Sequence, residues 1–468
     1  MPSQSTTQKK EEELEKKLKE INESSQPESA KKPVSSFPTT QKTFQIGSIE
    51  ISEEELDQLE NQIKDLGDLK NKLQTMSATK LLETLVAGAL KTRASDIHLE
   101  PGDKNTRVRY RLDGVLQDIS YFEKASYTKA LNRIKILSKM KLNIRDSPQD
   151  GRFTIKQKVV DIEVRVSVIP SEFGETIVMR LLDPRTIKGN LEDLGLRKDL
   201  LEIIRQELKK KTGAIMNSGS TGSGKTTTLY AFVNALNESG TKIITIEDPI
   251  EYHIANISQT QVNQNKKYTF ANGLRSIVRQ DPDIILVGEI RDKETAEIAL
   301  NAALTGHLVL STIHTNNAAG VIPRLIDLGV KPEIIAPAIN LSIAQRLLRK
   351  LCPDCKKPAK VTVEELDKIK KILEPIQKKV GFPKLNSSLK LYKADKCENC
   401  NFSGYLGRTG VFELFQVSKN IERLILTSPS IYTIEEAALA AGMTTIIQDA
   451  YLKLIDGITS IEEIESAL

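Results

Sequence analysis

The stretch "GSTGSGKTTTLY", residues 219–230, has the G-x-x-x-x-G-K-[ST] form of a phosphate-binding loop. The apolar segment "GAIMN" (213–217) precedes it and a helical segment follows, which is the context that such a loop requires. Glycines let the backbone N–H groups turn toward phosphate oxygens, and the lysine brings a positive charge to the same oxygens. The predicted ATP-binding residues are Gly219, Ser220, Thr221, Gly222, Ser223, Gly224, Lys225, Thr226 and Thr227, with the Thr226 hydroxyl placed to ligate Mg²⁺.

The residues around this loop alternate apolar strands with helical segments. After "GAIMN" come "KIITIED" (242–248), "DIILVGE" (283–289) and "HLVLSTIHT" (307–315). Continuous apolar strands separated by helices are typical of a parallel sheet that is covered on both faces. Residues 195–350 are therefore predicted to form an α/β core that carries the loop.

Acidic residues follow two strands of this predicted sheet. Glu289 ends "DIILVGE", and "TIEDPIE" (245–251) contains Glu247 and Glu251. Hydrolysis of ATP needs a carboxylate that positions water or metal, and ligands bind at the carboxyl edge of open α/β sheets. A single carboxylate in such a place is often a solvated loop charge, but two clusters at one edge favour a catalytic role for these three glutamates.

Two of the four histidines, His307 and His314, flank the next strand. A lone histidine is usually structural. Because this pair brackets a strand beside the predicted phosphate site, we expect both to be functional. A polar residue at the end of such a strand can sense the γ-phosphate.

The bulk composition is that of a soluble globular protein with two or three domains: 468 residues, 39% hydrophobic, 28% charged and a net charge of +5. The start has no apolar stretch suited to a signal peptide, and the chain has no uncharged apolar run of about 18 residues. We expect a cytoplasmic protein that contacts the membrane only through partners.

Three regions are predicted before the core. Residues 1–43 include "SSQPESAKKPVSSFPTTQK" (24–42), a composition typical of a disordered tether. Residues 44–79 are predicted to be helical, with a capping box at Ser52 and Glu55, and this helix packs on its own protein or binds a partner. Residues 80–190 alternate strand-like and helical segments, which indicates a mixed α+β domain.

Cysteine occurs only as two C-x-x-C pairs, "CPDC" (352–355) and "CENC" (397–400). Two such pairs predict a tetrahedral zinc site formed by Cys352, Cys355, Cys397 and Cys400. A redox site is the alternative, although it needs only one pair, and disulfides are disfavoured in the cytoplasm. Four thiolates leave no open position on the metal, so residues 351–405 are predicted to be a structural zinc-binding insert with a small helix between the pairs, followed by a helical region at 406–468.

These motifs, in this order, resemble those of the ATPases of type II secretion and type IV pilus assembly over roughly residues 80–468. The matching blocks include "ASDIHLEP" (94–101), "RYRLDGVL" (109–116), "SPQDGRF" (147–153), "TIEDPIEY" (245–252), "RQDPDIILVGEIRDKETAEIAL" (279–300), "LTGHLVLSTIHTN" (304–316) and "GYLGRTGVFEL" (404–414). The resemblance implies a PAS-like domain at 80–190, a RecA-like core at 195–350, a homo-hexamer, and ATP bound between the two domains.

The resemblance also implies that arginines complete the phosphate site, since cations beside a γ-phosphate stabilise the transition state. The arginines that match are Arg111, Arg165 and Arg180 of the mixed domain and Arg275, Arg279, Arg291 and Arg324 of the core. Each has the alternative of being an ordinary surface charge. Glu289 is in the Walker B position and Glu251 lies in the acidic box, and the choice of general base between them stays open.

The zinc insert favours an assembly or secretion motor over a pilus retraction motor, whose similar core lacks it. The implied partners are the inner-membrane platform protein and other components of the machine, with the chain peripheral at the inner face of the cytoplasmic membrane. Type IV pilus assembly, a competence pseudopilus and type II secretion all remain open.

Two functions of other classes are possible. The first is a RecA-like DNA translocase, but an aromatic content of 4% and the lack of a basic run interleaved with aromatic residues argue against a nucleic-acid partner. The second is a regulatory ATP-binding scaffold without turnover, against which the intact Lys225, Thr226 and Glu289 argue.

Overall fold

The computed structural model describes residues 47–50, 69, 78–157, 160–186, 189–427 and 429–468. All of them belong to one compact unit, Gln45–Leu468. The predicted tether lies outside the described residues, as do Ser52, Glu55 and most of the predicted helix at 44–79. Among the described residues, no helix combines the length and the apolar character needed to cross a membrane.

The described part of residues 44–79 differs partly from the helical prediction. Ser48–Glu50 form a strand, β1, so the prediction is wrong there. Leu69 is helical and fully buried. A Cβ on Gly88 would lie 2.8 Å from each of the two methyl carbons of Leu69. At Leu69, then, the segment packs on its own protein.

In its described residues, the mixed domain is a seven-stranded sheet with helices packed in its apolar core. Its elements are β1 and then α1 (Ala78–Lys91), β2 (Asp96–Pro101), β3 (Asn105–Leu112), β4 (Val115–Glu123), α2 (Lys124–Leu137), β5 (Gln149–Lys156), β6 (Ile162–Ser171) and β7 (Gly174–Leu182). The strand order is β1-β5-β6-β7-β2-β3-β4, and only β1 and β5 run parallel. Buried and half-exposed residues alternate along β3 and β6, which leaves a polar face opposite the helices.

The core begins with the elements that carry the phosphate loop. They are α3 (Lys198–Leu208), β8 (Gly213–Ser218), α4 (Lys225–Leu236), β9 (Ile243–Glu247), β10 (Ser258–Gln261), α5 (Phe270–Val278), β11 (Ile284–Val287), α6 (Lys293–Leu304), β12 (Leu308–Ile313), α7 (Val321–Asp327), α8 (Pro332–Ala338) and β13 (Ile339–Leu351). Residues of β11 alternate between two apolar clusters, Ile285 and Val287 in one and Ile284 and Leu286 in the other. Both faces of the sheet are therefore buried, as predicted.

The cysteine-containing insert lies between two neighbouring strands of the core sheet. It contains β14 (Lys357–Lys360), α9 (Val363–Leu373) and β15 (Lys390–Lys393), which confirms a helix between the two cysteine pairs. The chain then enters β16 (Tyr405–Gln416), which pairs antiparallel with β13, with Leu351 opposite Tyr405.

The core sheet has the order β10-β9-β11-β12-β8-β13-β16. All of its strands run parallel except β16. The prediction of a wholly helical region at 406–468 is wrong up to Gln416, because β16 completes the sheet. Four helices follow: α10 (Lys419–Ile425), α11 (Ile431–Ala440), α12 (Ile446–Ile455) and α13 (Ile461–Ala467).

Candidate active site

The phosphate loop joins β8 to α4 at the carboxyl edge of the parallel sheet. Gly219, Gly222 and Gly224 have φ angles of 149°, 80° and 91°, which glycine adopts at no steric cost. A Cβ on Gly219 would lie 2.6 Å from the carbonyl oxygen of Gln345, so β13 closes one side of the loop. A Cβ on Gly222 would meet nothing within 4 Å, so the middle of the loop is open to a ligand.

Lys225 is buried and lies over the loop. Its Nζ donates to the carbonyl oxygens of Gly219, at 2.7 Å, and Ser220, at 3.1 Å. Burial lowers the pKa of Lys225, the charge of Glu289 opposes this, and the charge of Arg346 adds to it. An anion bound at the loop would offer this ammonium stronger acceptors than the two carbonyl groups.

The other loop residues divide into an open and a closed set. Ser220, Thr221 and Thr226 are exposed, which leaves the Thr226 hydroxyl accessible to a metal ion. Ser223 is buried, and its Oγ has no hydrogen-bond partner among the described residues. The open glycine, the exposed hydroxyls and this unpartnered oxygen fit a phosphate ligand.

Glu289 follows β11 and lies among three cationic or titratable side chains. Its Oε1 is 2.7 Å from Nη2 of Arg291, and its Oε2 is 3.6 Å from Nε2 of His314. Its charge also acts on Lys225. The structure therefore brings Lys225, Glu289, Arg291 and His314 together at one edge of the sheet.

Glu247 has a different environment from Glu289. It is buried, and its carboxylate accepts hydrogen bonds from the Tyr230 hydroxyl, from Thr245 Oγ1 at 2.6 Å and from Gln259 Nε2 at 3.2 Å. These bonds join β9 to α4 and β10. Glu289, and not Glu247, is the carboxylate whose charge acts on Lys225.

His307 lies at the opposite end of β12 from His314. Its Nδ1 is 2.9 Å from the carbonyl oxygen of Ala302, and its own carbonyl accepts from the N–H of Gly213 at the start of β8. Since β12 runs parallel to β8 and the phosphate loop follows β8, His307 lies at the far edge of the sheet. The structure therefore does not bring His307 together with Lys225, Glu289 and His314. The direction of β12 could have shown this in the sequence, because a residue that precedes a parallel strand lies at the amino edge of the sheet.

The three arginines of the mixed domain form a row across its polar face. In the strand register Arg165 lies opposite Arg180, Arg180 opposite Asp96, and Asp96 opposite Arg111. The buried carboxylate of Asp96 lies 2.8 Å from Nε of Arg180 and 3.1 Å from Nε of Arg111. Burial raises the pKa of Asp96, but the hydrogen bond and charge of Arg180 and the charge of Arg111 outweigh it, so the pKa lies below its ordinary value.

Arg165 connects this row to the core. Its Nη1 donates to Glu251 Oε2 at 2.9 Å, and its Nη2 donates to the carbonyl oxygen of Ile250. The charge of Glu251 also acts on Arg180 and contributes to the raised pKa of that guanidinium, whose largest cause is the hydrogen bond to Asp96. The mixed domain thus contacts the acidic box directly.

The other predicted arginines lie on the surface of the core. Arg275 donates to Glu294 and Asn272, Arg279 donates to Ser276 Oγ at 3.4 Å, and Arg324 is exposed on α7. Within the described part of the chain, the side-chain hydrogen bonds of Arg275 and Arg279 do not reach the phosphate loop.

The four cysteines converge as predicted. Their Sγ atoms all lie within 4.8 Å of one another. Three of the separations are 3.8 Å for Cys352–Cys397, 3.8 Å for Cys355–Cys400 and 3.5 Å for Cys397–Cys400. Four sulfurs placed tetrahedrally about 2.3 Å from a zinc ion are separated by about 3.8 Å, so these distances fit that metal.

Cys400 has a lower thiol pKa than Cys352 and Cys355, whose pKa values burial raises. Burial raises its pKa, but hydrogen bonds with the backbone at Cys397 and Gly404 outweigh that effect and lower the pKa to about 7. A thiol of this acidity forms the thiolate that a metal requires.

A family model described as type II/IV secretion system protein matches residues 71–466. The chain belongs to this family. Type II secretion system ATPase E of Vibrio cholerae is 42% identical over 385 residues, which are 82% of this chain and 74% of that protein. Type IV pilus assembly ATPase PilB of Myxococcus xanthus is 39% identical over 417 residues, 89% of this chain and 71% of that protein.

Two solved structures are similar to this secretion ATPase. The Legionella pneumophila ATPase DotB has a TM-score of 0.60 and 21% identity, covering 84% of this chain and 95% of its own. The pilus retraction motor PilT with bound ADP has a TM-score of 0.55 and 25% identity, and the match covers 84% of this chain and 97% of the PilT chain. The predicted fold class and the ATPase activity are confirmed, and membership of this ATPase family implies a nucleotide and Mg²⁺.

Proposed function

We propose that the chain is a hexameric motor that hydrolyses ATP to drive type IV pilus assembly or type II secretion through an inner-membrane platform protein. It works at the cytoplasmic face of the inner membrane. The observation that supports this most is the convergence of Lys225, Glu289 and His314 beside the phosphate loop, with Arg165 joining the mixed domain to Glu251.

In this proposal the loop N–H groups and Lys225 bind the β- and γ-phosphates, and the Thr226 hydroxyl ligates Mg²⁺. Glu289 positions the metal or the attacking water, and its carboxylate is held by Arg291. Glu251 is the second candidate for the general base, since its carboxylate is only partly covered by Arg165. His314 senses the γ-phosphate through its contact with Glu289.

The arginines divide by location in this proposal. Arg111, Arg165 and Arg180 face the nucleotide between the two domains of one subunit. Arg275, Arg279 and Arg324 are exposed on the core and act at the contact with a neighbouring subunit. The four cysteines hold a structural zinc ion.

Steady-state ATP hydrolysis by the purified protein tests the proposal, beside Lys225→Ala and a control, Lys350→Ala, whose half-buried side chain lies near the end of β13. We expect turnover that requires Lys225, tolerates Lys350→Ala and does not change on addition of DNA. Strong stimulation of ATP hydrolysis by DNA would instead indicate that the motor moves a nucleic acid. In cells, we expect Lys225→Ala, but not Lys350→Ala, to abolish pili or the export of a secreted protein. That result would link ATP hydrolysis to the pilus or secretion machine.

A further inference from the structure

Arg346 lies on β13 beside the first glycine of the phosphate loop. β13 runs parallel to β8, and Ala344 pairs with Ser218, the last residue before the loop. A Cβ on Gly219 would lie 3.1 Å from Nη1 of Arg346. The guanidinium is therefore next to the loop, although more than a hundred residues separate the two in the sequence.

The hydrogen bonds of Arg346 go to backbone carbonyl groups. Nη1 donates to Gln345 O at 3.0 Å and Nη2 donates to Asn316 O at 3.2 Å. Arg349, on the same strand, instead pairs with Glu463, its Nε donating at 2.7 Å. Within the described ranges, Arg346 forms no ion pair with a carboxylate. The charge of Arg346 acts on the buried carboxylate of Glu413 without forming an ion pair with it. A half-buried cation that is not directly paired with a carboxylate is costly, which favours an anionic ligand beside it.

Arg346 and Lys225 are close enough for their charges to repel. Among the described residues, Glu289 is the carboxylate whose charge raises the pKa of Lys225 and so offsets this repulsion. The lysine of a phosphate loop reaches the β- and γ-phosphates, so a second cation close to the same ammonium lies at the terminal end of the nucleotide. A triphosphate would neutralise both cations and remove their repulsion.

The contact with Asn316 places Arg346 beside a second part of the site. Asn316 lies two residues after His314, in the segment that follows β12. Arg346 thus lies between the start of the phosphate loop and the segment that carries His314, both of which surround the terminal phosphates in the proposed function.

We propose that Arg346 is a further binding residue for the terminal phosphates of ATP, supplied by the same subunit as the loop. This inference rests on the proposed function, since it takes ATP as the ligand of the loop. On binding, the guanidinium exchanges its carbonyl acceptors for phosphate oxygens, to which it can donate two parallel hydrogen bonds.

The test is equilibrium binding by the full-length protein of a non-hydrolysable ATP analogue and of ADP, each with Mg²⁺. The variants are Arg346→Gln and Arg346→Lys, with Lys350→Gln as the control for loss of one charge from the same strand. We expect Arg346→Gln to weaken binding of the ATP analogue roughly ten- to a hundredfold, and binding of ADP clearly less. Arg346→Lys keeps the charge but not the planar fork, so we expect partial rescue.

Unchanged affinity for the ATP analogue, or equal losses for the analogue and ADP, would overturn the inference. Equal losses with a lower thermal midpoint would make Arg346 a structural support for the loop. Failure of the proposed function has a different signature: Lys225→Ala would then bind both nucleotides as tightly as the unsubstituted protein.

Discussion

At the scale of single residues, the two histidines around β12 form an internal comparison. His314 lies 3.6 Å from Glu289, whereas His307 caps the other end of the strand. We expect His314→Ala to lower the turnover number roughly a hundredfold, the loss typical of one polar group that acts on developing charge. His307→Ala should leave turnover unchanged and lower the free energy of unfolding by about 1 kcal/mol, because one hydrogen bond is lost.

Steady-state hydrolysis and thermal unfolding of both variants check this prediction. The reverse result, with His307→Ala inactive and His314→Ala active, would contradict the assignment of the site to the carboxyl edge of β12.

The loop residues could be predicted from the sequence because they are contiguous and because each glycine has a local conformational reason. The environment of Glu247 was harder to predict, since nothing in "TIEDPIE" shows that Tyr230 and Gln259 donate hydrogen bonds to its carboxylate. Arg346 was missed for a related reason. Its place beside Gly219 depends on the pairing of β13 with β8, which is a non-local contact.

At the scale of elements, the cysteine cluster predicts a metal-dependent fold of the insert. Replacing Cys397 and Cys400 by Ser removes two thiolates, so we expect loss of one zinc ion per chain and a lower thermal midpoint. Structural zinc contributes about 10–16 kcal/mol in zinc-finger peptides, which is enough for the insert to depend on the ion.

Metal analysis and calorimetry of the double variant check this, with Ser388→Ala in the same insert as the control. A metal-free unsubstituted protein of equal stability would contradict the zinc prediction.

The strands of the core could be predicted because each is a short apolar run followed by polar residues. β16 was missed although it completes the same sheet. All of its residues from Thr409 to Phe415 are buried, without alternation. Such a run does not distinguish a strand from a buried helix by periodicity. In the sequence, the whole insert separates β16 from its partner strand, β13, so their pairing has no local signal.

At the scale of the whole molecule, Arg165 joins the mixed domain to the core through Glu251. We expect Arg165→Ala to lower turnover by about 10³-fold or more, as for other arginines that act on a transferred phosphoryl group. The thermal midpoint should change little, because a single partly exposed ion pair contributes at most about 1 kcal/mol.

Arg152→Ala is the matched control, since Arg152 lies opposite Arg165 on β5 and its side chain is 73% exposed. Equal activity of the two variants would contradict a role for the arginine row in hydrolysis.

The position of the cysteine-containing insert has a consequence for how this architecture diversifies. The insert leaves the sheet after Leu351 and returns at Tyr405, and these two residues are register partners in adjacent antiparallel strands. Its two ends are therefore already as close as the ends of a hairpin, which a tight turn of a few residues can join. Evolution can add or remove the whole segment as a cassette at this point while β13, β16 and the phosphate loop keep their places.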